Sequence, residues 1–307
     1  MYLGFDTSNY TTSIACFDGQ TGENRSRLLD VKPGELGLRQ SDAVFSHVKR
    51  LPELADALFA SFGRSDIEAI GVSTRPRAVD GSYMPCFLAG VSAAETMAHA
   101  LGVPCYHFSH QQGHIAAALW SAGRMDLMER PHLAWHLSGG TTELLLVEPE
   151  EKNVKAIKIG GTSDISAGQI MDRTGKLLNL DFPAGKALDH LSRMAQDKQR
   201  FRVKTNGLCF SFSGLENKIR DYHETAKNDA DTAYYAVASV CDAVVRTTRE
   251  ALKRYPGAEI VFSGGVASNS LLRERCAEFS SVFAPPAYST DNAMGIAVLT
   301  YLQENSV

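Results

Sequence analysis

Residues 2–5 form an apolar run that ends in Asp6-Thr7-Ser8-Asn9, and a second run follows at residues 12–18. Two short β-compatible stretches about a polar turn predict a hairpin. Residues 41–62 and 85–101 carry apolar side chains at helical spacing, the first interrupted by Pro52 and the second closed by Gly102. Between them, residues 69–74 read as a buried strand. Residues 133–147 predict a second hairpin about Ser138-Gly139-Gly140-Thr141-Thr142. Helical periodicity then dominates from about residue 163 to residue 254, broken at Pro183 and around Gly207. A third strand, residues 259–262, runs into Ser263-Gly264-Gly265 and a helix over residues 268–278, and a terminal helix is predicted over residues 291–302. The two hairpin openings are alike in kind. The expected organisation is therefore two α/β lobes of related design, residues 1–131 and 132–291, with residues 292–307 returning to the first.

Composition narrows the class. With 44% hydrophobic and 21% charged residues the chain is an ordinary globular protein, which excludes disorder. No apolar run approaches the roughly 18 residues of a membrane helix, and Asp6 comes too early for a signal peptide. A net charge of −4 offers no nucleic-acid footprint, so an RNA partner requires a local patch or a partner subunit. Six cysteines without a Cys-x-x-Cys predict reduced thiols in a cytoplasmic protein.

Three small-residue turns each leave a strand: Asp6-Thr7-Ser8, residues 138–141, and residues 263–269 with Gly264-Gly265. Glycine permits both a tight turn and close approach of backbone amides to a phosphate. One such turn is equally well explained by turn geometry alone; three, near the start, middle and end of a two-lobed chain, point to a nucleotide. Histidine supplies the second signal. Five of the nine histidines lie between His107 and His136. His110 and His114, four apart at the start of an apolar helix capped by Ser109, project from one face and can share a metal or make ordinary hydrogen bonds. Gln111 and Gln112 stand between them, and a neutral amide takes no proton, so the metalloprotease motif His-Glu-x-x-His is excluded. A third ligand must come from elsewhere. Asp291 before the last helix is the candidate, also readable as an N-cap, and His136 is another.

In order along the chain, His110–His114, residues 136–143, Gly161-Thr162-Ser163-Asp164 through Asp172-Arg173, residues 177–185, Phe210-Ser211-Phe212-Ser213-Gly214-Leu215, residues 264–269 and residues 289–293 resemble the tRNA N6-adenosine threonylcarbamoyltransferase family, formerly described as O-sialoglycoprotein endopeptidases. The resemblance implies an α/β, actin-like ATPase fold with two RNase H-like lobes around a central cleft. It implies an iron or zinc ion on His110, His114 and Asp291, with His136 a candidate fourth ligand. It also implies that an adenine nucleotide contacts His136, Leu137, Ser138, Gly139, Gly140, Asp172, Gly185, Asp189 and Asn269, while the residue-level reading makes Thr7, Ser8, Gly264 and Gly265 phosphate turns. The implied reaction transfers threonylcarbamoyl from threonylcarbamoyl-AMP to the adenosine 3′ of a tRNA anticodon, releasing AMP. Implied partners are tRNA, other subunits of a threonylcarbamoyl-transfer complex, and a paralogous actin-like subunit as dimer partner.

The chain departs from the family pattern at definite places. Two acids of the opening turn become Tyr10 and Thr11, and the glutamate of the metal motif becomes Gln112. The second aspartate of Asp-Asp-Ala becomes Ile165, the following Gly-Glu becomes Gly168-Gln169, and a lysine becomes Glu216. A Gly-Pro-Gly loop becomes Arg75-Pro76-Arg77. This is the pattern of a diverged paralogue, so a second expectation stands: a protein that binds metal and adenine nucleotide but acts on another acceptor, or serves as a non-catalytic scaffold.

Overall fold

The computed structural model describes residues 1–8, 10–30, 38–62, 66–290 and 292–305. The chain divides into two units. Unit 1 comprises Met1–Arg130, Glu148–Ala156 and Asp291–Val307; unit 2 comprises Pro131–Val147 and Ile157–Thr290. No helix among the described residues is long and apolar enough to cross a membrane.

In chain order the first elements are β1 (Tyr2–Asp6), β2 (Thr11–Phe17), β3 (Gly22–Leu28), α1 (Gln40–Phe62), β4 (Ala69–Arg75), α2 (Phe87–Leu101), β5 (Cys105–Ser109) and α3 (His110–Ser121). The five strands form one sheet in the order β3-β2-β1-β4-β5. β1, β2 and β3 are antiparallel neighbours, whereas β4 and β5 run parallel to β1. Every residue of β1 and β2 is buried, as the central position of these strands requires. Leu3, Phe5, Ile14, Ile70 and Val72 from the sheet pack with Leu51 and Leu58 of α1 and Ala94 and Ala98 of α2.

The chain continues through β6 (His132–Leu137), β7 (Thr142–Glu150), β8 (Asn153–Thr162), α4 (Ala167–Leu177), α5 (Gly185–Arg193), β9 (Thr205–Asn206), β10 (Cys209–Phe210), α6 (Leu215–Ala226), α7 (Asp229–Arg254), β11 (Ile260–Ser263), α8 (Ser270–Cys276), β12 (Ser281–Phe283), α9 (Pro286–Ser289) and α10 (Met294–Glu304). The second sheet has the order β12-β11-β6-β7-β8-β10-β9. Its segment β8-β7-β6-β11-β12 repeats the order of the first sheet, with β6 and β7 antiparallel and β11 and β12 parallel to β6. Trp135, Phe210, Phe212, Val240, Val244 and Phe262 are central to its core.

Several sequence expectations are corrected. Pro52 does not interrupt α1, which runs through it. The proline is exposed, so water can solvate the carbonyl that its ring leaves unpaired. β3 and β8 went unpredicted because β3 is polar and half-exposed and β8 carries Lys155 and Lys158 among its apolar positions. Residues 194–214 are non-helical apart from the two-residue strands β9 and β10. The helix expected over 268–278 is α8, Ser270–Cys276, and a 3-10 turn, Gly265–Ser268, precedes it. The terminal helix starts at Met294 and packs within unit 1, not at 291.

That terminal helix sets the position of α3. A Cβ on Gly4 would lie 2.5 Å from Ala297 N, and a Cβ on Gly295 would lie 1.8 Å from Gly113 O. α10 therefore lies directly on β1 and crosses α3 at the glycine between the two motif histidines. Gly295 admits no side chain at this crossing, while a Cβ on Gly113 would press on the end of the Ile296 side chain at 2.8 Å.

Candidate metal and nucleotide site

α3 opens with a capping box. Ser109 Oγ accepts from Gln112 N at 3.2 Å, and Gln112 Oε1 accepts from Ser109 N at 2.9 Å. Gln112 Nε2 also donates to Val154 O at 2.9 Å, tying the helix start to the tip of the β7–β8 hairpin. This fixes the first turn of α3, on which His110 and His114 stand one above the other.

The two imidazoles meet through Nε2 atoms 2.9 Å apart. Behind them His110 Nδ1 lies 2.6 Å from Oδ2 of Asp6, a carboxylate that is 1% exposed. Asp6 Oδ1 accepts from Ser8 N at 2.9 Å. A carboxylate can only accept, so it holds the His110 proton on Nδ1 and leaves a lone pair on Nε2. Two facing ring nitrogens must then share one proton or one cation. The donor set, a borderline-soft imidazole pair with a carboxylate fixing the tautomer, is chemistry that fits iron or zinc. Among the described residues no three His, Cys, Asp or Glu side chains form a complete metal cage. Asp291, the expected third ligand, lies outside the described residues. His136 is in unit 2, where its Nδ1 lies 3.3 Å from Ser263 Oγ.

Of the first turn, Thr7 is fully buried and its hydroxyl is engaged by the carbonyls of Cys86 and Phe87 and by Gly90 N. Its side chain braces the turn against the start of α2 rather than facing outward. Ser8 is buried, and its Oγ has no hydrogen-bond partner among the described residues.

In unit 2 the expected nucleotide residues come together through α4, α5 and α8. The Ser138–Gly139 turn is pinned by the start of α4: Gly168 N donates to Ser138 O at 3.2 Å, and Ser166 Oγ to Gly139 O at 2.5 Å. A Cβ on Gly168 would lie 2.4 Å from Gly139 Cα, so Gly168 is glycine for packing. Gly264 is glycine for two reasons, a φ of +90° and Leu137 O at 2.2 Å from a would-be Cβ. Gly139, Gly140 and Gly185 are different. A Cβ on any of them would meet nothing within 4 Å, and none has a positive φ. Neither packing nor backbone conformation demands glycine there.

Asp189 Oδ1 accepts from Asn269 Nδ2 at 3.1 Å and from Ser270 Oγ at 2.7 Å. Asn269 is at once the N-cap of α8, its Oδ1 accepting from Leu272 N at 3.1 Å. Asp172 Oδ1 accepts from Ala184 N at 3.0 Å, and burial pushes its carboxyl above the ordinary range. Both carboxylates are thus already ordered, not freely solvated helix-surface groups.

Four departures from the family pattern have local structural accounts. Gln169 forms a capping box with Ser166 at the start of α4, as Gln112 does with Ser109. At this position Glu and Gln serve alike. Glu216 pairs with Arg173 at 2.5 Å. Ile165 is half-buried against the core of unit 2.

Asp164, next to it, ties two motifs together. Burial pushes its carboxyl up, but the Ser211 hydroxyl, the Phe212 and Ile165 amides and the Thr162 hydroxyl outweigh it and hold the pKa at about 2. A carboxylate lowered in the folded state stabilises above its ordinary 3.8, and that stabilisation is lost as pH falls through about 2. The melting temperature of Asp164→Asn is therefore expected to fall less than that of the wild type between pH 4 and pH 2. Parallel acid melting curves for the two proteins would remove this role from Asp164.

Sequence reasoning placed Asp6 in the first turn but missed it as the tautomer-setting partner of His110, and it gave His47 of α1 no role. Asp6 carried a faint signal, an acid closing a fully apolar run.

The pattern of the tRNA N6-adenosine threonylcarbamoyltransferase family matches residues 34–298. A protein of that name from Carboxydothermus hydrogenoformans is 31% identical over 97% of this chain and 91% of its own length. One from Streptococcus pneumoniae (strain Hungary19A-6) is 32% identical over 99% of this chain and 92% of its own. Among solved structures, T. kodakarensis HypF aligns with a TM-score of 0.62 at 14% identity over 99% of this chain and 48% of its own. The Acidaminococcus fermentans (R)-2-hydroxyglutaryl-CoA dehydratase component A aligns at 0.59 and 12% identity, over 98% of each chain. These likenesses, with a Streptomyces griseus ROK family glucokinase at 0.53 and 10% identity over 99% of each chain, give the fold as that of the actin-like ATPases. From the near-full-length identity and the matched pattern, the chain belongs to the tRNA N6-adenosine threonylcarbamoyltransferase family.

Proposed function

We propose that this protein transfers a threonylcarbamoyl group from threonylcarbamoyl-AMP to N6 of the adenosine 3′ to a tRNA anticodon. The amine attacks the carbamoyl carbon, the bond from that carbon to the phosphate oxygen breaks, AMP departs with the electron pair, and the proton of the acylated amine passes to water. Beyond family membership, the observation that carries the reading is the Asp6–His110–His114 chain, which sets two imidazole nitrogens to face one point. His110, His114 and Asp291, with His136 a candidate fourth ligand, would hold a divalent iron or zinc ion, which when bound would supply Lewis-acid chemistry. Asp6 keeps the His110 proton away from that face. The amides of Gly139 and Gly140 receive the phosphate, with Gly264 and Gly265 completing the turn. Asp172 and Asp189 accept the ribose hydroxyls, and Asn269 positions Asp189. Cytoplasmic action with partner subunits, including a paralogous actin-like chain, completes the reading.

A second reading rests on Tyr10 and Thr11. The family acids they replace would stand beside the first turn, and neither a phenol nor an alcohol readily accepts a proton at neutral pH. A positioned general base is worth roughly 10²–10⁴ in rate. A diverged enzyme with another acceptor, or a non-catalytic scaffold, follows if no partner supplies that group. The test is transfer of labelled threonylcarbamoyl to tRNA with partner proteins added, for the wild type and for Tyr10→Asp/Thr11→Glu. We expect weak wild-type transfer and a gain in the double variant. Robust wild-type transfer unimproved by the change supports the plain family activity. Absence of transfer in both supports the second reading.

A further inference from the structure

An exposed basic segment of unit 2 has no part in the chemistry proposed above. Residues 198–204 read Lys-Gln-Arg-Phe-Arg-Val-Lys, four cations and no acid in a chain whose net charge is −4. Lys198, Arg200, Arg202 and Lys204 are exposed, while Phe201 and Val203 pack on the core of unit 2. Charged-out, apolar-in alternation is the pattern of extended backbone lying on a core. Side chains two apart on such a backbone stand about 6.5 Å from each other, close to the step between successive phosphates of a nucleic-acid strand.

One face of α7 holds the segment in place. Ser239, Asp242 and Arg246 follow one another at three- and four-residue steps. Ser239 Oγ accepts from Phe201 N at 2.8 Å, and Asp242 Oδ1 accepts from Arg200 Nε at 3.1 Å. Arg246 donates to Val203 O and, at 3.3 Å, to Thr205 Oγ1. The backbone is thereby fixed, and Arg202 and Lys204 are left exposed with no acidic partner among the described residues. The cations continue toward the nucleotide residues. Lys198 lies over the Tyr234 ring at 4.4 Å, and the Tyr234 hydroxyl accepts from Arg275 at 3.2 Å. Arg193, Lys198 and Tyr234 line one depression with Ser270, whose hydroxyl donates to Asp189. Arg200, Arg249 and Arg275 line a second. Asp242, Glu274 and Glu278 offset part of this inner charge, so the effect of Arg202 and Lys204 should be the largest.

We propose that this track, from Ser270 past Lys198 and Arg200 to Lys204, receives the sugar-phosphate backbone of RNA. The inference rests on the tRNA reading above and supplies the local patch that a chain of negative net charge needs for such a partner. Arginine suits the role because its planar guanidinium grips two phosphate oxygens at once, and lysine adds a point charge. Because α7 already fixes the segment, little of it has to be ordered on binding. Its apolar side chains face the core, so residues 198–204 offer a lipid surface or a protein partner no apolar anchor.

The test uses the full chain and an unmodified tRNA transcript with adenosine 3′ to its anticodon. Arg202→Gln/Lys204→Gln should bind it about 10-fold or more weakly at about 0.1 M salt. The slope of log affinity against log salt should shrink by about 1–2, the counterions of two phosphates. AMP affinity should stay within about 2-fold, because neither side chain belongs to the nucleotide residues. Lys49→Gln/Lys155→Gln removes the same charge from exposed positions of unit 1 and should leave tRNA affinity within about 2-fold, since screening confines the effect to local charges. Should Arg202→Gln/Lys204→Gln fail to fold, Arg202→Gln alone is read the same way, with a slope change of about 1. An unchanged salt slope, an equal loss in the unit 1 variant, or no tRNA binding by the wild type overturns the proposal. So does wild-type binding to vesicles of equal parts phosphatidylserine and phosphatidylcholine that exceeds binding to tRNA and is lost in the same variant, which assigns the track to a membrane surface. Threonylcarbamoyl transfer is scored separately. A wild type that binds tRNA through these residues and transfers nothing removes the activity and leaves the track standing.

Discussion

A His114→Ala protein is expected to fold as the wild type and to lose more than about 100-fold in affinity for zinc or ferrous iron. Alanine is the strongest helix former, and α3 already carries Ala116, Ala117 and Ala118 at its buried centre. What disappears is one of two converging Nε2 donors. Asp6→Asn should cost roughly 10–100-fold, the usual effect of removing the partner of a ligating histidine. The amide places either an N–H against His110 Nδ1 or an N–H against Ser8 N, and each choice breaks one of the two bonds Asp6 makes. Where the N–H faces Nδ1, the His110 proton moves to Nε2 and blocks the donor face. Elemental analysis and competition with a chromophoric chelator measure both variants. Full occupancy in His114→Ala would remove the metal site, while full occupancy in Asp6→Asn alone would remove only the tautomer argument.

The second large effect concerns the glycine turns. Gly139→Val is expected to leave the melting temperature nearly unchanged and to reduce AMP affinity by at least about 100-fold, by filling the approach to bare backbone amides. The separation is possible because a Cβ at Gly139 meets no protein atom within 4 Å. Gly168→Val and Gly264→Ala should do the opposite. The first would drive a Cβ to 2.4 Å from Gly139 Cα, and the second to 2.2 Å from Leu137 O at a strained φ. Both should destabilise the fold, by about 1–3 kcal/mol or more, through steric overlap and backbone strain. Calorimetry with AMP and thermal melting on the three variants give two readouts for each. AMP binding by Gly139→Val at wild-type strength would show that this turn holds no phosphate.

The departures from the family pattern divide on structural grounds. Gln112 and Gln169 replace glutamates at the third position of capping boxes, where the amide oxygen accepts the same backbone proton as a carboxylate. Glu216 has a cationic partner in Arg173, and Ile165 packs on the core. Only Tyr10 and Thr11 remove charge from a turn that the proposed chemistry uses. Sequence comparison counts all of these as lost or reversed charge, whereas their surroundings reduce the functional question to the first turn.

Local order was legible from the chain alone. Strand alternation located β1, β2, β4, β6, β7 and β11, the 3.6-residue period located α2 and α3, and the four-residue spacing of His110 and His114 showed a shared face. These features depend on neighbours in sequence, whose geometry the backbone repeat dictates. β3 lay beyond such reading because its residues are polar and its place in the sheet comes from pairing with β2. The tertiary structure alone decided the partners. Asp6 reaches His110 across 104 positions, Asp189 reaches Asn269 across 80, and His47 reaches Thr12 across 35. No periodicity records such pairs. Polar groups taken out of water, such as Asp6 on a β1 that lies between β2 and β4, need partners, and only the folded chain brings those partners within reach.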